Sequence, residues 1–598
     1  MSPKPTAQPV PESSDDVRVA GPLRHVQTAP FAEPLPLELG GSLPGVDVAY
    51  ETWGTLDADA SNAVLVCHAI SGDSHAARHD PQDDPGWWDE LIGPGRAIDT
   101  DRYFVVCSNV LGGCRGTTGP GAIDPKTGEP YGAYFPAITV GDMVAAQRRL
   151  MNHLGVSQWR AVVGGSLGGH QAMTWATRHP QQVKTCVAVA TSPRLTSQAL
   201  AFDVVARNAI QSDPHFADGQ YYGKPDQPDV GLAIARMLGH ITYLSTEAMD
   251  AKFDPDRHQP REVATAFEKR FSVGSYLAHQ GQKFTERFDA NSYVAISLAL
   301  DRFDLGDSPE ALRQTFSPST CDWLVVSFSS DWLFTPTQSR QIVDALTHLG
   351  RVVSYTEVTT RAGHDGFLLP GEIAQYGPLV SAKLDDRNDT PPPLSEHDEH
   401  LLAFIPPDAS VLDLGCGSGR LLAELRRRGH DTLVGVEVAQ PKLIEAVRRG
   451  LDVIDLDLNV GLPAFSDRQF DVAVLSATLQ IIENVAGVID EMTRVADCAV
   501  VSFSNFAFRE FRREFAEDGR SPKASAGGGA YGHAWHDTPN RRFPSILDFR
   551  EFCEQRGLSI RRAAYYDTTT GSALSEHEDP NLNADLAIFE IARTAGSN

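Results

Sequence analysis

The apolar residues of this chain fall into short unbroken runs separated by longer mixed stretches. Residues 63–67 (AVLVC), 103–107 (YFVVC) and 186–190 (CVAVA) each hold five consecutive apolar positions, and 161–163 (AVV) begins another run. Unbroken runs of this length suit parallel strands covered on both faces. They resume at 323–328 and 352–355. Residues 196–312 between them read as helical, with no clear strand. An all-helical insertion between sheet elements makes a lid over a catalytic face. A second series follows at 410–414, 433–436 and 470–475. Strand and helix alternate in both halves, which predicts two α/β domains.

The stretch DDRNDTPPPLSEHDEH at 385–400 interrupts this pattern. Three prolines flanked by charge make a poor core and a good linker. The expected organisation is a disordered segment at 1–25, a first domain at 26–385, a linker at 386–399 and a second domain at 400–598. The length of 598 residues and a hydrophobic content of 41% allow two cores. A net charge of −26 opposes binding to nucleic acid or an anionic membrane surface.

The eight cysteines (67, 107, 114, 186, 321, 416, 498, 553) form no CxxC pair and no zinc-ligand spacing. That points to a reducing cytoplasm and predicts neither disulfides nor a metal site. The polar, Pro- and Ser-rich start lacks the apolar stretch of a signal peptide, and no apolar run reaches the ~18 residues of a membrane span.

Chemistry enters at 164–168, Gly-Gly-Ser-Leu-Gly, a G-x-S-x-G elbow between a strand-like run and a helix-like stretch at 170–179. A sharp strand-to-helix turn lifts the Ser166 hydroxyl above the sheet and aims Leu167 N–H at a developing oxyanion. Asp331 follows the run at 323–328, and His364 follows the run at 352–355. A lone loop Asp or His is most often solvated or a cap. Here the order Ser, Asp, His and the strand-end positions are those of a hydrolase triad, with His364 as base and Asp331 as its orienter. The second oxyanion amide is expected from the loop HAISGDSH, at Ile70 or Ser71, while the His68 and His75 side chains are read as structural.

The first half resembles the homoserine O-acetyltransferase family. The resemblance is carried by VLVCHAISGDSHAA, SNVLGGCRGTTGP, VVGGSLGG, ARMLGHITYLS, SFSSDWLFTP and AGHDGFL, spread over 45–380. It implies an α/β-hydrolase fold and a ping-pong reaction. Ser166 takes the acetyl group of acetyl-CoA, and L-homoserine then receives it to give O-acetyl-L-homoserine for methionine synthesis. It further implies that Arg236 holds the homoserine carboxylate and Asp365 its ammonium, with Tyr243 beside the same ligand, and that the enzyme is a homodimer. Relatives that use succinyl-CoA carry an Arg two residues after the triad Asp. Leu333 stands there in this chain, and an apolar side chain cannot neutralise a buried carboxylate, so acetyl is the expected acyl group.

In the second half, VLDLGCGSGRLL (411–422) reads as strand, Gly-rich turn and helix, with Glu437 closing the next strand. It is similar to motif I of Rossmann-like class I methyltransferases that bind S-adenosylmethionine (SAM). Asp413, Gly415 and Gly417 would cradle the ligand, Glu437 would accept ribose hydroxyls, and Asp457 would lie near adenine, although Asp455 is a close competitor. No Lys stands in the turn, which excludes a P-loop. This half resembles MetW, through VLDLGCGSGRLL, LSATLQIIENV, VVSFSNFAFREFRREF and WHDTPNRRF with SILDFREFCEQRGL. A MetW domain usually accompanies succinyl-using relatives, which pulls against Leu333. The segment 525–529, with three successive glycines, reads as a mobile loop.

The leading reading is therefore an acetyltransferase fused to a SAM-binding, regulatory partner domain. The alternatives are a succinyltransferase, an esterase whose acyl-enzyme goes to water, an active methyltransferase in the second half, and a purely structural second module.

Overall fold

A computed structural model describes residues 23–263, 265–385, 393–520, 536 and 538–594. All but the last three residues of the segment at 1–25, and the whole of 525–529, lie outside them. The chain divides into two units between Leu384 and Asp385.

The first unit is built on eight strands. These are β1 (Gln27–Phe31), β4 (Val46–Trp53), β5 (Ala63–Cys67), β8 (Phe104–Ser108), β9 (Ala161–Gly165), β10 (Thr185–Val189), β11 (Asp322–Phe328) and β12 (Val353–Val358). Two small ribbons, β2 (Leu35–Pro36) with β3 (Ser42–Leu43) and β6 (Ile92–Gly93) with β7 (Ile98–Asp99), lie outside this sheet. The strand order is β1-β4-β8-β5-β9-β10-β11-β12. From β8 onward all pairs are parallel, whereas β1 and β4 join antiparallel. Every residue of β5, β9 and β10 is buried, as the unbroken apolar runs require. Helices α1 (Val140–His153) and α2 (Leu167–Arg178) pack on the sheet.

Between β10 and β11 lie α3 (Ser197–Gln211), α4 (Asp229–Tyr243), α5 (Thr246–Phe253), α6 (Ser272–Thr285), α7 (Ala290–Asp301) and α8 (Pro309–Phe316). No strand interrupts them among the described residues. The insertion starts at the expected place because Thr196 accepts Ala199 N–H and caps α3. It runs past 312 to Phe316, where a fully buried ring ends α8. Helices α9 (Pro336–His348) and α10 (Pro370–Leu384) complete the unit.

The second unit opens earlier than the linker reading allows. Ser395 and Asp398 form a capping box that starts α11 (Glu396–Leu402), and His397 Nε2 lies 2.9 Å from Ser502 Oγ. Residues 396–399 therefore belong to this unit. The local capping chemistry outweighs their charged composition. Its strands are β13 (Val411–Leu414), β14 (Leu433–Val436), β15 (Asp452–Ile454), β16 (Phe470–Ser476), β17 (Ala496–Ser504), β18 (Leu558–Asp567), β19 (Ser572–Leu574) and β20 (Leu586–Arg593). They run β15-β14-β13-β16-β17-β20-β18-β19, with β20 antiparallel to both neighbours. Helices α12 (Arg420–Arg427) and α13 (Gln440–Arg448) follow β13 and β14. The order reverses beside β13, and in open parallel sheets such a switch point forms the ligand crevice.

Candidate active site

Ser166 sits at the junction of β9 and α2 with φ 57° and ψ −123°, a conformation that costs a non-glycine residue of order 1–3 kcal/mol. The crossing is tight. A Cβ on Gly168 would lie 2.0 Å from the carbonyl oxygen of Cys67 in β5, so only glycine lets helix and strand approach here.

His364 stands in a 3-10 turn (Gly363–Leu368) after β12, and Asp331 in the turn after β11. His364 Nε2 is 3.0 Å from Ser166 Oγ, and His364 Nδ1 is 2.8 Å from Asp331 Oδ2. All three are buried. Asp331 Oδ1 accepts Leu333 N–H and Phe334 N–H, both at 2.9 Å. These two amides fix the carboxylate, which fixes the imidazole, which faces the hydroxyl. A base held in this way can take the Ser166 proton as the oxygen attacks an acyl carbon. Leu167 N–H and Ile70 N–H have no hydrogen-bond acceptor among the described residues outside the regular elements, as donors kept for an oxyanion should.

Arg236, on α4, is 4% exposed. Its Nη1 donates to Ser71 Oγ at 3.2 Å, and its guanidinium lies 4.8 Å from the centre of the Phe284 ring and 5.7 Å from that of Tyr243. Burial pulls its pKa below the ordinary value. Asp365, next to His364, is buried too. Burial pushes its carboxyl up, against the pull of His364 and Arg236. Tyr243 lies 5.8 Å from the His364 ring, and burial pushes its hydroxyl up to about 12. A buried cation and a buried carboxylate near one nucleophile suit a zwitterionic amino acid.

Ser166, Ile70, Tyr243, Leu333 and Phe334 line one cavity. So does Asp203 on α3, which the sequence reading missed. An acid on an amphipathic helix looks like its solvated face. The only signal was the spacing Ala199, Phe202, Asp203, Ala206, which puts Asp203 on the inward stripe. Burial, then the neighbouring Asp301, raise the Asp203 pKa well above the carboxylate range. Phe284, under Arg236, carried no sequence signal.

In the second unit Asp413 is 2% exposed, and its Oδ1 has no hydrogen-bond partner among the described residues. Burial, with Asp398 and Glu437 nearby, pushes this carboxyl up to about 7. Gly415 (φ 77°) and Gly417 (φ 59°) form the turn. Glu437 Oε2 accepts Gly417 N–H at 2.9 Å, and Oε1 accepts Ala439 N–H at 2.8 Å. Each oxygen keeps a second lone pair, so ribose hydroxyls still have acceptors. An orphaned buried carboxylate oxygen beside this turn fits a cationic nucleotide-like ligand such as SAM. Asp457 is instead exposed, with Oδ1 2.9 Å from both Asn459 N and its side-chain amide. It caps a short turn, as a solvated loop acid would.

The chain matches the model of the methionine biosynthesis protein MetW over residues 396–591 and that of the α/β hydrolase fold over 62–370. It is 59% identical, over 97% of its length and 95% of the relative's, to a bifunctional methionine biosynthesis protein MetXA/MetW of Rhodopirellula baltica. A homoserine O-succinyltransferase of Acidithiobacillus ferrooxidans is 48% identical over 63% of this chain and 97% of its own. The crystal structure of homoserine O-acetyltransferase from Bacillus anthracis superimposes with a TM-score of 0.53 at 28% identity, covering 61% of this chain and 99% of that one. With an α/β-hydrolase unit followed by a MetW unit, the chain belongs to the family of bifunctional MetXA/MetW methionine-biosynthesis proteins.

Proposed function

We propose that the first unit transfers an acetyl group from acetyl-CoA to the hydroxyl of L-homoserine by a ping-pong mechanism. The observation that carries this is the Ser166–His364–Asp331 relay with two buried charges beside it: Asp365 is the residue after His364, and the Arg236 guanidinium lies 5.7 Å from the Tyr243 ring, which shares the cavity wall with Ser166. Ser166 Oγ attacks the thioester carbonyl, its proton passes to His364 Nε2, and CoA leaves with that proton. His364 then takes the proton of the homoserine hydroxyl, whose oxygen attacks the acetyl-enzyme; the bond to Ser166 Oγ breaks and the serine oxygen takes the proton back from His364. Arg236 and Asp365 favour homoserine over water as acceptor, which argues against an esterase. Leu333 on the cavity wall favours acetyl, whereas the succinyltransferase relatives favour the alternative donor.

The second unit is read as a SAM-binding module that tunes the first, with Asp413, Gly415, Gly417 and Glu437 as the residues that would hold the ligand. Bound SAM supplies an electrophilic methyl group, so an active methyltransferase is the second reading for this unit. A homodimer is supported by apolar residues left exposed on two lid helices, Val204 and Val205 on α3 with Val230, Ile234 and Ile241 on α4. The eight free cysteines support a cytoplasmic setting. No described helix is long and apolar enough to cross a membrane.

The test is CoA release by the full chain with L-homoserine, comparing acetyl-CoA with succinyl-CoA. Fast release with acetyl-CoA that disappears in Ser166→Ala supports the reading. Preference for succinyl-CoA overturns the donor assignment, and equal release without homoserine overturns the acceptor.

A further inference from the structure

The geometry points to His68 as a positioning residue that fixes and polarises the oxyanion-binding peptide Ala69–Ile70. His68 follows β5 and is 1% exposed. Its Nε2 lies 3.0 Å from Val110 N, and its Nδ1 lies 2.7 Å from the carbonyl oxygen of Ala69. A backbone N–H can only donate and a carbonyl can only accept. The two neighbours therefore dictate one tautomer: Nδ1 carries the hydrogen and Nε2 the lone pair. A second proton on the ring would break the bond from Val110. Burial also favours the neutral form.

The Ala69 carbonyl belongs to the peptide whose other end is Ile70 N–H, and Ile70 lines the cavity with Ser166. It accepts a second hydrogen bond, from Gly72 N–H at 3.0 Å. Withdrawing electrons from the oxygen of an amide strengthens its N–H as a donor, because hydrogen bonds in a chain polarise one another. Val110 N–H, the imidazole, the Ala69 carbonyl and Ile70 N–H thus form one polarised series aimed at the place where negative charge develops. The loop is shaped around the ring. A Cβ on Gly72 would come within 2.9 Å of His68 Cβ and 3.2 Å of its Nδ1. Glycine there lets the chain close over the imidazole and bring its own N–H to the same carbonyl.

His68 is not among the residues that line the cavity with Ser166, so it acts through the peptide it holds. Its effect is felt in every step that forms an oxyanion, both acylation and transfer. This assignment rests on the acyl-transfer reading of Ser166.

The experiment uses the full chain and the variants His68→Ala, His68→Gln, His68→Phe and Ser166→Ala. It reads kcat and KM for CoA release, the thermal midpoint, and the inhibition constant of a short alkyl trifluoromethyl ketone. Ser166 Oγ adds to that ketone carbonyl, His364 takes the serine proton, and the carbonyl oxygen becomes an oxyanion. His68→Ala is expected to lower kcat and weaken the ketone by a common factor of about 10 to 100. That is less than the ~10²–10³ of losing an oxyanion donor outright. KM for homoserine stays within about twofold. His68→Gln, whose amide can donate and accept, recovers most of both losses. A purely structural role would lower the thermal midpoint and leave kcat and ketone affinity of the folded enzyme unchanged, and that result overturns the assignment. If His68→Ala does not fold, His68→Phe keeps the ring volume without its nitrogens and carries the same expectation. Should that also fail to fold, the ring nitrogen resonances of the wild-type protein decide, since a proton on Nε2 overturns it and one on Nδ1 alone supports it. Undiminished turnover in Ser166→Ala would sink the acyl-transfer reading instead.

Discussion

Glu51 Oε2 and His75 Nδ1 meet at 2.9 Å with the Glu51 side chain fully buried. The other ring nitrogen of His75 lies 2.8 Å from the Asp84 carbonyl oxygen, so both nitrogens face acceptors and the ring is an imidazolium. His79 Nε2 lies 2.9 Å from the same Glu51 oxygen, and Ser74 donates to the other. Burial alone would raise the Glu51 pKa, but the hydrogen bonds from His75 and His79 and the His75 charge hold it down at about 2. For His75 burial acts downward, and the Glu51 and Asp84 hydrogen bonds outweigh it and raise its pKa.

Two opposite pH dependences follow. The depressed Glu51 contributes stability above its unfolded value near 4.5, and this is lost as pH falls toward 2. The raised His75 contributes stability below its unfolded value of 6.5, and this is lost as pH climbs through its raised value. The pair is therefore most stabilising between about pH 4.5 and 6.5. Glu51→Gln strands the imidazolium and should cost about 3–5 kcal/mol, read as a lower urea midpoint of the first unit at pH 5.5. A change below about 0.5 kcal/mol would show that the pair is solvated in solution.

The approach of Gly168 to Cys67 sets a second expectation. An alanine there puts a methyl group 2.0 Å from a backbone oxygen. Neither the strand nor the first turn of α2 can move without displacing Ser166. Gly168→Ala should therefore lower kcat/KM by at least about 100-fold, since misplacing a nucleophile by 1 Å costs about that much. Near-normal turnover in this variant would mean that the elbow is looser than it looks.

Much of this was legible in the sequence because the chemistry is local. The unbroken runs at 63–67 and 433–436 became strands with the same bounds, most others moved by a residue or two, and the run at 352–355 became Val353–Val358, three residues longer at its end. The triad was legible because Ser166 and Asp331 each stand three residues past an apolar run, and His364 follows the next run in the order Ser, Asp, His. The antiparallel strands were not. Strand β4 contains Asp47 and Glu51, which break its apolar run, and Glu51 is buried only because His75 and His79 reach it from a later loop. Strand β18 alternates weakly, with exposed Arg561 and Arg562 at its centre. Arg236 and Asp365 were named through a resemblance. The burial of Arg236 against Phe284 and Tyr243 depends on the folding of the lid, which no short-range pattern encodes.

Asp413 gives a third expectation, with the opposite sign to Glu51. Its carboxyl is pushed from 3.8 up to about 7 by burial, so the folded state prefers it protonated. Stability of the second unit falls as pH rises from about 4 to 7. Asp413→Asn removes the charge and keeps the shape. The variant should match wild type at pH 4 and exceed it at pH 8 by on the order of a few kcal/mol. The same variant should lose any rise in thermal midpoint that SAM gives at pH 8, because the orphaned oxygen no longer offers a charge to a cation. If the wild type shows no SAM-dependent rise at all, the SAM reading of this unit fails while the pH expectation stands.

Leu333 and Asp203 share the cavity wall around Ser166, and together they determine what a change of donor requires. A distal succinyl carboxylate would enter an apolar space whose one lining carboxyl, Asp203, already faces Asp301. Arg207, behind them, is held by Asp301 at 2.5 Å and by Ser297 at 3.2 Å. Leu333→Arg supplies a cation, but Asp203 can pair with it and compete with the donor for the new guanidinium. The single variant should therefore raise the succinyl-to-acetyl ratio of kcat/KM only modestly, by less than about tenfold. Leu333→Arg with Asp203→Asn frees the guanidinium. It should raise the ratio by roughly 10- to 100-fold, the worth of about 1.5–3 kcal/mol for a charged hydrogen bond. Equal ratios in the single and double variants would show that Asp203 does not compete. An unchanged ratio in both would remove Leu333 from the choice of acyl group.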